Sequence, residues 1–167
     1  MNKIFQPRIW FLFAFLACAG MLAFALYKQH MDFVDPCPLC ILQRLCFLWI
    51  GLVGLVAAIH GPARTGQWIY GVLVMLGGSI GMMLAGRQVW LQSLPADQVP
   101  DCGMGLNYML DTMPVLDALR EVFYGSGECA DVLWTFLGIS IPGWALIWFV
   151  IFTAGTIGIL IFSKKPR

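Results

Sequence analysis

Charge is scarce in this chain. Of 167 residues, 10 are Lys or Arg and 9 are Asp or Glu, 11% in all. A soluble domain keeps about 25% of its residues charged to solvate its surface, so that class is excluded. Histidine is scarcer still, with only His30 and His60. The basic residues form no cluster that reads as a nucleic-acid footprint. The sequence also lacks an internal repeat and any low-complexity tract.

Apolar length stands in their place. Apolar residues make up 60% of the chain and aromatics 14%. Uncharged runs cover 9–26, 68–86 and 132–163, and 38–59 is apolar except for Gln43 and Arg44. A helix needs about 20 apolar residues to cross the hydrocarbon layer. The runs are continuous rather than alternating, which favours helices over a barrel. The sequence therefore predicts an all-α membrane protein, a four-transmembrane-helix bundle forming one integral membrane domain over 1–167. Its helices are expected at about 9–27, 38–59, 68–90 and 139–162, with outer loops at about 28–37 and 91–138. Lys3 and Arg8 before the first run, and Ala17-Cys18-Ala19 within it, resemble a signal peptide. The run continues to Leu26, past a cut at that point, so an uncleaved helix is the expectation.

The few charges set an orientation. Lys3, Arg8, Arg64, Lys164, Lys165 and Arg167 occupy the two tails and the short connector 60–67, where no acidic residue occurs. All nine acidic residues lie elsewhere, seven of them in the long third connector. The positive-inside rule then places both termini and the Arg64 loop in the cytoplasm. The other two connectors face outward, to the periplasm of a Gram-negative cell whose inner membrane holds the protein. His30 and His60 fall at opposite faces and build no common site.

Within the long outer loop, Val115, Leu116, Leu119, Val122 and Phe123 recur at helical spacing opposite Asp117, Arg120 and Glu121. A short helix over 114–124 lying on the bilayer surface is predicted. Gly77 and Gly81 form a small-xxx-small pair that permits close helix approach. Trp68, Trp90, Trp134 and Trp144 lie near expected membrane boundaries, where amphipathic rings settle.

The residues with chemistry are sulfurs and one cation. Cys37-Pro38-Leu39-Cys40 is open to three readings: a zinc half-site, a redox pair or chance. Pro38 suits the first turn of a helix, so the pair sits where unpaired N–H groups and the helix dipole stabilise a thiolate. Cys37, Cys40 and Arg44 follow at i, i+3 and i+7 on one face. Arg44 lies roughly 6 Å along the axis from Cys40 at 1.5 Å per residue. Snorkelling accounts for such an arginine; a site role is the default for a cation within a membrane span. A guanidinium there can donate to a quinone carbonyl or to the Cys40 thiolate. Cys102 and Cys129, both in the long loop, read alone as a structural disulfide in an oxidising compartment, and a four-thiolate zinc site is the weaker option. Two cysteine pairs on one small outer face favour relay chemistry. Gly103, Gly105, Gly125 and Gly127 flank the second pair and permit the backbone mobility that opens a disulfide to thiolate attack. Cys18 and Cys46 lie within helices and read as small apolar residues.

The chain resembles the DsbB family, the quinone-linked disulfide bond formation protein B. The resemblance rests on Cys37-Pro38-Leu39-Cys40-Ile41-Leu42-Gln43-Arg44, the second pair Cys102 and Cys129, Gly127-Glu128-Cys129-Ala130, and Ile141-Pro142-Gly143-Trp144. It implies a quinone cofactor (ubiquinone or menaquinone) and a periplasmic DsbA-like thioredoxin-fold partner. It further implies that the partner's thiolate attacks a Cys102–Cys129 disulfide at Cys102. Cys129 then attacks Cys37, and Cys40 leaves as a thiolate toward the quinone with Arg44 assisting. Relatives often carry a histidine near the outer end of the third helix. This chain has Arg87-Gln88-Val89-Trp90 there, so no quinone role is expected for Gln88, and Arg87 is a candidate. The competing class is a non-enzymatic membrane scaffold with structural disulfides, which leaves Cys40 beside Arg44 without a reason. A vitamin K epoxide reductase-like protein also joins thiols to quinones, with a different cysteine order.

Overall fold

The computed structural model describes residues 7–31, 36–95, 97–99, 106–124, 127–132 and 134–162. Among the described residues, four helices are long and apolar enough to cross a membrane: α1 (Pro7–Met31), α2 (Pro38–His60), α3 (Arg64–Gln92) and α6 (Ile141–Phe162). Between α3 and α6 lie α4 (Leu106–Thr112), α5 (Val115–Tyr124), a 3₁₀ turn at Gly127–Cys129, and strands β1 (Thr135–Phe136) and β2 (Ile139–Ser140). The chain is thus a four-helix bundle of the expected class.

The helices outrun the apolar segments that announce them. Hydropathy marks only the stretch that must avoid water, whereas a helix continues as long as its backbone bonds do. At the start of α6 the outcome is reversed. Residues 139–140, expected in the last helix, pair instead with β1, Thr135 opposite Ser140 and Phe136 opposite Ile139. Leu137 and Gly138 take φ of 53° and 77°, the left-handed pair that a two-residue hairpin needs to match strand twist. The helix then starts at Ile141, with Pro142 in its first turn where no N–H is required.

In the bundle α1 packs on α2, α2 on α3, and α3 on α6, while α1 and α6 touch sparingly. Small residues allow the close approaches. A Cβ on Gly54 would stand 2.8 Å from Phe11 O of α1, and one on Gly81 would collide with the Phe149 ring of α6. Around these contacts Phe11, Phe47, Phe149 and Phe152 form the core. Phe47 and Phe149 stack at 4.2 Å between ring centroids, an arrangement that adds about 0.5–1.5 kcal/mol beyond area burial. At the far end from the cysteines, Trp10 Nε1 donates to Thr156 Oγ1 at 3.0 Å and joins α1 to α6. Arg8 Nε donates to Ala58 O at 2.8 Å, satisfying a carbonyl in the last turn of α2.

A second, smaller core gathers at the cysteine end. Cys37, Leu39, Leu84, Leu91, Met109, Val122 and Cys129 pack together, so α4, α5 and the 3₁₀ turn sit on the ends of α2 and α3. This divides the amphipathic face expected of α5. Val122 is buried in the protein, whereas Val115 and Leu116 are exposed.

Candidate functional site

The local sequence at the start of α2 places two sulfurs. Cys37 is the extended N-cap residue and Pro38 opens the helix; Ile41 N donates to Cys37 O at 3.1 Å. One turn later Cys40 returns to the same side, and the two Sγ atoms lie 2.9 Å apart, less than about 1 Å beyond a covalent disulfide. The 3₁₀ turn brings a third sulfur: Cys129 is fully buried and its thiol hydrogen-bonds Cys37. The Cys37 thiol lies above its ordinary titration range, chiefly through its hydrogen bond with Cys129, next through that with Cys40, and then because it is buried. Cys37 therefore holds its proton more firmly than an ordinary thiol does. Cys102 lies outside the described residues.

Behind the sulfurs is a hollow of about 880 Å³ bounded by α1, α2, α3, α6 and the hairpin. Its wall is largely aromatic and aliphatic, with Phe24, Phe47, Trp134, Phe136, Trp144 and Trp148. The hairpin wall is firmly tied. Ser140 Oγ donates to Gln92 Oε1 at 2.7 Å, Trp144 Nε1 donates to Phe136 O at 3.1 Å, and Lys28 of α1 sits 5.3 Å over the Trp134 ring. Polar groups interrupt the apolar wall, among them Cys37, Cys40, Gln43, Arg44 and Gln88. Large apolar pockets with few convergent polar groups are what planar organic ligands occupy.

Arg44 is on this wall, half-buried and anchored to α1: Nη1 donates to Gln29 Oε1 at 2.6 Å and Nη2 to Ala25 O at 3.4 Å. The structure thus brings Cys37, Cys40, Cys129 and Arg44 to one end of the bundle. Arg87 goes elsewhere. Its Nε donates to Phe123 O at 3.2 Å and its guanidinium lies 4.3 Å over Trp90, outside the cavity wall.

The residue that sequence reasoning passed over is Gln88. It is buried, lines the cavity, and its Nε2 lies 3.3 Å from Cys37 Sγ and 3.2 Å from Cys40 Sγ. Gln43 Nε2 donates to Gln88 Oε1 at 2.7 Å. A signal was present: two glutamines, each within a predicted membrane helix, must find polar partners there. Cys18 is in the bundle core and Cys46 is packed between the two cores. His60 Nδ1 meets Tyr70 OH at 2.9 Å at the opposite end of α2 from the cysteines.

With this geometry in hand, known proteins can be compared. The family model described as "Disulfide bond formation protein DsbB" matches residues 7–159. The chain belongs to the DsbB family. Among curated relatives named "Disulfide bond formation protein B", one from Nitrosococcus oceani is 54% identical over 140 residues, 84% of this chain and 83% of its own. One from Saccharophagus degradans is 52% identical over 150 residues, 90% of each chain. One from Hahella chejuensis is 50% identical over 159 residues, 95% of this chain and 94% of its own. The DsbB match covers α1, α2 and α3, the cysteine pairs, the hairpin and α6 as far as Ile159.

Proposed function

We propose that this chain is a disulfide-forming thiol:quinone oxidoreductase of a bacterial inner membrane. It reoxidises a periplasmic DsbA-like dithiol protein and passes the electrons to membrane quinone. The observation that carries this reading is the grouping of Cys37, Cys40 and Cys129 beside an apolar cavity whose wall also bears Arg44. Family membership supports the disulfide chemistry.

The cavity fits a quinone head. Its aromatic walls suit a flat apolar ring, and the Arg44 guanidinium supplies donors for a carbonyl oxygen. Bound there, a quinone would supply a two-electron, two-proton acceptor. The protein's own groups do the rest. A partner thiolate attacks the Cys102–Cys129 disulfide, and the partner leaves oxidised, with the loop pair as a dithiol. Cys129 attacks Cys37 of a Cys37–Cys40 disulfide, and Cys40 leaves as a thiolate. Cys129 is buried and hydrogen-bonded to Cys37, which supports this exchange. Cys102 then resolves the Cys129–Cys37 bond, restoring its own disulfide and leaving Cys37 protonated. The Cys37 thiol and the Cys40 thiolate together give up two electrons and one proton and close again, and the acceptor's second proton comes from solvent. Arg44, held by Gln29, presents positive charge where acceptor charge develops.

The test mixes purified protein, quinone and a reduced DsbA-like partner and follows quinone absorbance. Reduction that disappears with Cys40→Ser is expected. Quinone left unchanged by intact protein and active partner would return the chain to a scaffold role. Labelling with a thiol reagent that cannot cross the bilayer checks orientation; Cys129 must react, once unfolded, from the periplasmic side.

A further inference from the structure

Gln88 and Gln43 do more than fill polar positions. Both side chains are buried, at 3% and 4% exposure. An amide offers an acceptor on one side and donors on the other, and Gln43 settles which side of Gln88 meets the sulfurs. By donating to Gln88 Oε1 at 2.7 Å, Gln43 engages the oxygen and turns Nε2 toward Cys37 and Cys40, 3.3 Å and 3.2 Å away. Gln88 Oε1 also lies 3.6 Å from Cys40 Sγ, within reach of a weak thiol donor. One amide therefore serves Cys40 both as a thiol and as a thiolate.

We propose that the Gln43–Gln88 pair is a fixed, non-titrating hydrogen-bond donor to the Cys37–Cys40 couple. Gln88 is a catalytic residue that stabilises the sulfur anion released on reduction, and Gln43 is a positioning residue that sets the direction of its amide. The assignment rests on reading Cys37 and Cys40 as a redox pair. Reduction by an external dithiol breaks one S–S bond and forms another in the reductant. Two electrons pass to the couple, one proton stays on Cys37, charge stays on Cys40, and the second proton goes to solvent. Neutral disulfide sulfur is a weak acceptor, whereas thiolate sulfur accepts a charge-assisted bond in a low-dielectric site. The amide therefore favours the reduced form and makes the couple more oxidising.

The experiment equilibrates the full chain in detergent micelles against mixtures of reduced and oxidised dithiothreitol. The Cys37–Cys40 state is read by thiol trapping and peptide mass spectrometry. Gln88→Met keeps the size and removes the donor. Its equilibrium is expected to move about tenfold toward the disulfide, about 30 mV for a two-electron couple; a value equal to the wild type overturns the role of Gln88. Gln43→Glu tests direction. Ionised Glu accepts from Gln88 Nε2 and turns Oε1 toward the sulfurs, whereas protonated Glu donates to Oε1 and restores the original direction. The variant is expected to match the wild type at low pH and to resemble Gln88→Met at high pH. A difference that does not vary with pH overturns the role of Gln43, and the low-pH arm shows that the variant folds. The titratable groups around position 43 are Cys37, Cys40 and Arg44 of α2, Lys28 of α1, Cys129 of the 3₁₀ turn and Asp131 after it. All are present in the wild type, which is the reference at each pH. If wild-type Cys37 and Cys40 form no disulfide at any ratio, the redox reading and this assignment fall together. If they do and the variants match the wild type, only the amide assignment falls.

Discussion

Replacing Arg44 by Met should separate quinone use from thiol exchange. The guanidinium commits two of its five donors to α1, at 2.6 Å to Gln29 Oε1 and 3.4 Å to Ala25 O. Its place on the cavity wall makes the remaining donors available to a carbonyl oxygen in the hollow. A hydrogen bond from a charged donor contributes about 1.5–3 kcal/mol. When that bond strengthens as the acceptor gains charge, its loss lowers kcat/KM for quinone by about 10- to 150-fold. Arg44→Lys keeps the charge without the planar fork and should fall between. Gln29→Leu removes the anchor alone and should cost less than Arg44→Met. Arg64→Ala, at the start of α3 and the other end of the bundle, is the control and should change little. Steady-state quinone absorbance, with quinone varied at saturating reduced partner, supplies kcat/KM. A single turnover of the partner against the loop disulfide, read by thiol trapping, should be unchanged in all four variants. Losses of equal size in Arg44→Met and Arg64→Ala, or an Arg44→Met value within about threefold of wild type, would refute the assignment of Arg44 to the site.

Three further outcomes follow from the geometry. Because Cys37 titrates above the usual thiol range, and only thiolate alkylates, reduced Cys37 should react with iodoacetamide more slowly than the same cysteine in unfolded protein. Its rate should rise at a higher pH than that of the unfolded cysteine. Cys129→Ala removes the first cause of that shift and should move the Cys37 rate profile to lower pH, an outcome that peptide mapping measures directly. Gly81→Ala places a methyl against the stacked Phe149 ring and should destabilise the bundle by about 1–3 kcal/mol. Gly86→Ala, which meets nothing within 4 Å, should not; thermal unfolding in detergent distinguishes them, and equal midpoints would refute the packing argument. Gly138→Val forces a β-branched residue to φ near 77°, a strain of about 1–3 kcal/mol. Loosening the hairpin wall should raise KM for quinone while sparing partner exchange, and an unchanged KM would show that the hairpin does not shape the cavity.

The legible parts of this molecule were those that one segment determines. Four apolar runs announced four helices because the hydrocarbon layer imposes its length on each run separately. Pro38 announced the helix start, and with it the place of Cys37 and Cys40. The hairpin was hidden because each strand has two residues and Leu137 is a poor signal for a left-handed turn. Its φ is imposed by pairing and by the Trp144–Phe136 and Ser140–Gln92 bonds. Gln88 was hidden for a related reason. Its significance lies in meeting Cys40 across 48 positions of sequence, a relation made by the packing of α2 on α3. Arg87 drew attention as a charge, yet it turns to the loop helix. The α5 face read as uniformly apolar, and the protein itself takes Val122.

The Phe47–Phe149 stack has a bioenergetic consequence. Phe47 lines the hollow, and Phe149 and Phe152 behind it are wholly buried. On the proposed reading, water and protons admitted at the sulfur end would meet an aromatic layer partway along the bundle. A protein that handles protons within a membrane must not become a leak, since about 2.3 kcal/mol is dissipated for each charge that slips across 100 mV. Such a layer would keep the proposed thiol chemistry in one compartment and leave the voltage across the remaining half of the bundle intact.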